Sequence, residues 1–227
     1  MKSRLARTIG AEKAAEIYKV LLLDNWQRVI ESGLPVGIEY SPAASLKNFQ
    51  QLLGLEQEFN LQSGNGMGGR MANAFAGCFR QPFDAAVLIG ADVPELSAEL
   101  ILEAAASLKK HDVVLGPAED GGYYLIGFTR KSFDPQYFQR ISWSTDQVFQ
   151  QTTEKVLDNK NKLYIISKRC DFDNFDDVKE FLGKVSRNER IAQEIRRILN
   201  SEVIDENSTD NNIVANNFKS GSADRNL

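Results

Sequence analysis

The feature that most constrains this chain is Ala85-Ala86-Val87-Leu88-Ile89, five consecutive apolar residues closed by Gly90. A strand with water on one face alternates apolar and polar side chains. A strand with no polar position is buried on both faces, as in a parallel sheet covered by helices on either side. The rest of the sequence supplies those helices. Residues 11–30 set Ala14, Ile17, Leu21, Leu22 and Val29 on one broad apolar face, which predicts a helix stopped by Gly33 and Pro35. A short strand is predicted over 36–40, a helix over 46–53 closed by Gly54, and a strand over 56–62. A glycine-dense loop (Gly64, Gly66, Gly68, Gly69) then feeds a helix over 70–79. Beyond the apolar strand come a helix over 97–108, strands over 113–115 and 123–128, and a helix opened by a Ser144/Gln147 capping box. A strand over 163–166 and helices starting at 178 and spanning 191–199 complete the pattern. Helices alternating with strands predict one α/β domain over 1–200, with ligands bound at the carboxyl ends of the strands. From Ser201 to Leu227, Asn, Ser and Asp dominate, and a disordered tail is expected.

Composition excludes several classes. With 27 basic and 31 acidic side chains the formal charge is −4, which speaks against a nucleic-acid partner. The two cysteines, Cys78 and Cys170, are far apart and lack metal-ligand spacing, as in a reduced, cytoplasmic protein. A Ser-His-Asp triad or a histidine metal site would have to use His111, the one histidine. No 18-residue apolar stretch predicts a membrane span, and the basic start lacks the apolar run of a signal peptide.

Four stretches could carry chemistry. Asp92 follows the apolar strand in Gly90-Ala91-Asp92-Val93-Pro94. A carboxylate at a strand end suits a hard cation that also holds phosphates; the same residue could simply cap the next turn. Gly116-Pro117-Ala118-Glu119-Asp120-Gly121-Gly122-Tyr123-Tyr124 lies between two apolar strands and should reach the same rim. There Asp120 is a candidate base or metal partner, and one of the two tyrosines should face the site. Asp-Gly is equally a turn dipeptide. Asp171-Phe172-Asp173-Asn174-Phe175-Asp176-Asp177 holds four carboxylates. Asp171 and Asp173 share a face if extended, Asp176 and Asp177 resemble first-turn helix acids, and Asp173 is the expected second metal ligand. Lys2, Arg4, Arg7 and Arg70, with the glycine loop, could meet phosphates through cations and backbone N–H groups.

In this order the motifs resemble bacterial GT-A-like glycosyltransferases of the arsenosugar-biosynthesis type, relatives of the molybdenum-cofactor and phospholactate guanylyltransferases. The stretches that carry the resemblance are Lys2-Ser3-Arg4-Leu5-Ala6, Gly66-Met67-Gly68-Gly69-Arg70-Met71, residues 89–94, 116–127, Trp143-Ser144-Thr145 and 171–177, so it covers most of the chain. The run from Gly116 to Gly127 is the most specific. The resemblance implies a GT-A-like nucleotide-diphospho-sugar transferase fold, a three-layer α/β/α architecture with a mostly parallel sheet. It implies Mg²⁺ or Mn²⁺ on Asp92 and Asp173, and nucleotide and phosphate contacts from Lys2, Arg4, Gln62, Gly66, Gly68 and Arg70. Asp120 would be catalytic, and Gly121, Gly122, Tyr123, Trp143 and Thr145 would face sugar or acceptor. The implied partners are a nucleotide-activated small molecule and an acceptor. The family begins with a strand before the Lys-Thr-Arg-Leu segment; here the sequence starts at that segment, with Ser3 in place of threonine. A first strand is therefore expected to be lacking, through a misplaced start or a shortened relative, leaving two strand edges uncovered. Glycosyl transfer is the leading expectation. Nucleotidyl transfer with pyrophosphate release, or an inactive nucleotide-binding relative, are the alternatives. A haloacid-dehalogenase-like phosphatase is disfavoured, because Asp171-Phe172-Asp173 lacks the following glycine and threonine and comes late.

Overall fold

The computed structural model describes residues 3–186 and 189–201. Lys2 and residues 202–227, nearly all of the expected tail, lie outside the described residues. In chain order the elements are α1 (Ser3–Ile9), α2 (Ala11–Glu31), β1 (Gly37–Tyr40), α3 (Leu46–Leu53), β2 (Glu58–Leu61), α4 (Gly66–Cys78) and β3 (Ala85–Ile89). Then follow α5 (Ala98–Ser107), β4 (Val113–Pro117), β5 (Tyr123–Thr129), α6 (Val148–Asp158), β6 (Leu163–Ile165), α7 (Phe175–Lys184) and α8 (Arg190–Asn200).

The main sheet runs β3-β5-β4-β6. β4 and β6 are parallel, and β5 is antiparallel to both neighbours, so β3, β4 and β6 point one way around a single reversed strand. One face packs on α5 through Val114 and Leu125 against Leu100, Ile101 and Ala104. The other packs on α4, α6 and the 3₁₀ turn Pro135–Phe138, through Val113, Leu115, Ile126 and Phe128 against Phe75, Tyr137, Phe138 and Val156. Phe128 anchors this side, edge-on to Phe75 at 5.0 Å and stacked on Tyr137 at 5.5 Å between ring centres. The result is the three-layer α/β/α arrangement. A third cluster joins α1, α2, α7 and α8 around the fully buried Phe172, with Leu5, Ile17, Leu21, Phe181 and Ile195.

A single sheet was the simplest expectation, but the strands form two. β1 and β2 pair in parallel by themselves. Among the described residues β1 pairs only with β2 and β3 only with β5. Every residue of β3 is half-exposed although none is polar, whereas β4 and β5 are almost wholly buried.

Two local expectations are corrected, and one element was unforeseen. The basic segment at the start of the chain forms a short helix, α1, whose Leu5 enters the core. Ser144 does not cap α6: it adopts a left-handed φ of 66°, whereas an N-cap needs extended backbone. Thr145 organises that turn, accepting from the Gln147 N–H and donating to the Ser142 carbonyl. α7 starts at Phe175 rather than Val178 because Asn174 and Asp177 form a reciprocal capping box. This settles Asp177 as a structural acid, and Asp176 pairs with Lys179.

Candidate active site

Three strand ends converge on one rim. After β3, the Gly90 N–H donates to the Tyr124 carbonyl and extends the ladder by one step, delivering Asp92 to the edge. The Asp92 carbonyl then accepts from the Phe172 N–H at 3.3 Å, which ties the end of β3 to the segment after β6. β4 and that segment also stay paired beyond their strands. Ala118 bridges Arg169 in parallel, and the Glu119 N–H donates to the Arg169 carbonyl at 3.0 Å. Lys168 reinforces this with a 2.8 Å ion pair to Glu119. The pairing carries residues 171–173 alongside the 118–122 turn. In that turn the Asp120 Oδ1 accepts from the Gly122 N–H at 2.8 Å, leaving the side chain exposed.

The alternation around Phe172 does the rest. Its ring is fully buried among the α1, α2, α7 and α8 side chains, so Asp171 and Asp173 turn the other way. Carboxylate oxygens of Asp120, Asp171 and Asp173 lie within 4.8 Å of one another. Three negative charges that close repel strongly, and a cation beside them lowers that cost. Arg4 of α1 stands 3.8 Å from Asp173. The expected pairing of the Asp92 and Asp173 carboxylates is not what the cluster contains: Asp173 groups with Asp120 and Asp171, while Asp92 meets this segment through its main-chain carbonyl. Asp171 is the member the sequence reading left without a role, although its alternation with Asp173 was the available signal.

The glycine loop reaches the same side through residues 141–147. Gly68 is buried, and a Cβ there would fall 2.9 Å from the Trp143 indole and 2.6 Å from the Phe138 carbonyl. Gly121, at φ 87°, leaves no room for a Cβ against the Asp146 carbonyl, 2.3 Å away, and its own carbonyl accepts from the Phe149 N–H. One segment therefore seats Trp143 on the first turn of α4 and Asp146 on the Asp120 turn. Gly68 and Gly121 therefore serve close packing at these two contacts. Gly66 remains exposed at the start of α4, where Asn65 provides no side-chain cap, and Arg70 lies one turn on, against Met67. Gln62 is occupied at the end of β1, its amide donating to the Glu39 carbonyl at 3.1 Å.

The tyrosines also depart from expectation, since neither hydroxyl faces the rim. Tyr123 turns to the α4 and α6 side, its ring 6.5 Å from Trp143 and its hydroxyl buried, and burial pushes that hydroxyl far above the usual phenol range. Tyr124 turns to the α5 side beneath Gly116 and donates to the Ser167 carbonyl; burial pushes its hydroxyl up to about 12. Burial, then the neighbouring carboxylate of Asp177, pushes the Cys170 thiol up to about 12, which removes it as a nucleophile. His111 packs on Tyr164 with Nδ1 3.1 Å from the Ser107 carbonyl, a structural placement. A hollow of about 280 Å³ between α2, α7, α8 and the start of α5 shares no residue with the carboxylates. Its walls carry Asp24, Glu95 and Glu189 beside Arg28, a mixture unsuited to a polyanion.

A helix-covered sheet of this topology is the fold of the nucleotide-diphospho-sugar transferases. The crystal structure of a candidate nucleotide-diphospho-sugar transferase from Desulfovibrio desulfuricans G20 superposes with a TM-score of 0.80 at 30% sequence identity, covering 88% of this chain and 90% of that one. The chain belongs to the family described as "uncharacterized protein conserved in bacteria", DUF2064, which matches residues 27–145. That match includes Asp92 and Asp120; Asp171 and Asp173 lie beyond it. No curated protein matches the chain. Among the described residues no helix is long and apolar enough to cross a membrane.

Proposed function

We propose that the protein is a metal-dependent glycosyltransferase that moves a sugar from a nucleotide-sugar donor to an acceptor. The observation that carries this reading is the cluster of Asp120, Asp171 and Asp173, with oxygens within 4.8 Å of one another at the strand-end rim. An all-carboxylate donor set suits Mg²⁺ or Mn²⁺, hard cations that prefer oxygen and commonly bind substrate phosphates as well. When bound, such an ion supplies charge neutralisation for a departing diphosphate. Asp171 and Asp173, half-buried and held by the packing of Phe172, would hold it, with Asp92 adjacent.

The remaining roles follow from position. Arg4, beside Asp173, and Arg70, one turn into α4, would meet the phosphates, together with the N–H groups near Gly66. In the transfer step the bond from the anomeric carbon to the diphosphate oxygen breaks and its electron pair leaves with the nucleoside diphosphate. A bond forms from that carbon to the acceptor oxygen, and the acceptor proton goes to a base. Asp120 is the exposed carboxylate, and one of its oxygens is not engaged by Gly122. It would take that proton. Gly122, Trp143 and Thr145 border this turn and would line the acceptor side. The relative named as a nucleotide-diphospho-sugar transferase supports the donor class.

Incubation with Mn²⁺ and separate nucleotide sugars or nucleoside triphosphates tests the proposal. Release of nucleoside diphosphate from a nucleotide sugar is expected, with a loss of at least about 100-fold in Asp173→Ala. Pyrophosphate release from a triphosphate would replace glycosyl by nucleotidyl transfer. Unchanged turnover in Asp173→Ala would refute the role of the cluster.

A further inference from the structure

Residues 142–147 touch both sides of the proposed site, yet little burial holds them. Ile141 and Val148 on either side are buried, whereas Ser142 and residues 144–147 are exposed. The segment nevertheless makes two close contacts. The Trp143 indole lies against Gly68 in the first turn of α4, and the Asp146 main chain lies against Gly121, next to Asp120. An exposed loop keeps such contacts in place only when its polar groups are tied to something rigid.

The ties converge on one side chain. Gln151, half-buried one turn into α6, accepts from the Ser142 N–H with its Oε1 at 2.8 Å. Its Nε2 donates to the Ser142 hydroxyl at 3.1 Å and to the Gln147 Oε1 at 3.2 Å. One amide group thus grips both ends of the segment. It stands on a helix anchored by the buried Val148, Thr152 and Val156. Between the ends, the Thr145 hydroxyl closes the turn on Ser142 and Gln147. From Asp146 the contact passes to Gly121, whose carbonyl accepts from the Phe149 N–H, and then to the Gly122 N–H, which donates to Asp120. We infer that Gln151 is a positioning residue for the transfer reaction: by clamping residues 142–147 it sets the Asp120 carboxylate relative to the first turn of α4. Its effect on turnover rests on the glycosyl-transfer reading; the clamp rests on these hydrogen bonds alone.

Two measurements on the full chain test this, the first without substrate. With Trp26→Phe as the background, Trp143 is the sole indole. Gln151→Ala should then shift the Trp143 emission to the red and speed amide exchange at Phe149 at least about tenfold. Gln151→Glu, which keeps an oxygen for the Ser142 N–H, should restore most of both. Should Gln151→Ala fail to fold, Gln151→Met, equally long but without the amide, takes its place. Unmoved emission and exchange overturn the inference. The second measurement uses Mn²⁺ and the nucleotide sugar that the unaltered protein turns over best. There kcat should fall at least about tenfold in Gln151→Ala while KM for the donor stays within about twofold, with recovery in Gln151→Glu. An indole that moves while kcat holds overturns the positioning role and leaves glycosyl transfer intact. No transfer by the unaltered protein, with the indole and amide effects present, sinks the glycosyl-transfer reading and leaves the clamp standing.

Discussion

β3 and β5 are neighbours of nearly equal apolar character with unequal fates. β5 lies between β3 and β4 and is buried from Tyr124 to Phe128, whereas β3, which among the described residues pairs on one side, is half-exposed along its whole length. The lesson is that burial of a strand is decided by its neighbours. A run of apolar side chains states how much cover a strand needs, and the topology decides how much it receives. The β1–β2 pair repeats the point: among the described residues it is a two-stranded parallel pair, Glu39 is half-buried beside Glu58, and desolvation followed by that neighbour raises its carboxyl.

The contrast can be broken by truncating one side chain on each strand. Phe128→Ala, in the fully enclosed aromatic cluster, should cost about 3–5 kcal/mol. Val87→Ala, on the half-open strand, should cost about 1 kcal/mol. Denaturant midpoints at constant m-value measure both, and equal losses would mean that β3 is as enclosed in solution as β5. A smaller effect sharpens the comparison within the enclosed strand. The Tyr124 hydroxyl, raised to about 12 by burial, favours the protonated form in the folded state. Its contribution to stability is therefore complete below the unfolded phenol value of about 10 and is lost as pH rises towards 12. Absorbance titration should show Tyr123 and Tyr124 still protonated above the ordinary phenol value of about 10. Ionisation of all six tyrosines together near pH 10 in folded protein would contradict the burial.

Much of this fold was legible from pattern alone. The helices over 46–53 and 98–107 and the strand over 85–89 stand where apolar periodicity and glycine stops put them. α1 was missed because seven residues with scattered basic side chains give too little periodicity, and its stability comes from Leu5 packing on other helices. The site was legible in part. Phe172 between two aspartates announces a shared polar face, but only the continued pairing of 118–119 with 169 brings Asp120 to it. That is a register relation between distant segments, and no local pattern encodes it. The tyrosines misled because alternation says that two residues face opposite ways; it does not say that both ways are core. The packing of Gly68 on an indole and of Gly121 on a carbonyl was not legible, because a glycine that admits a ligand and one that admits a protein group look alike in sequence.

Whether the clustered carboxylates hold one divalent ion is the most direct test of the proposed chemistry. Mn²⁺ titration of the purified protein, followed by the loss of the free-ion paramagnetic resonance signal, measures this without any assumption about substrate. One ion per chain is expected, with binding weakened at least about tenfold by Asp171→Asn together with Asp173→Asn while the thermal midpoint holds or rises as like charges are removed. Undiminished Mn²⁺ binding in that double variant, or no binding in the unaltered protein with or without a nucleotide, would contradict it.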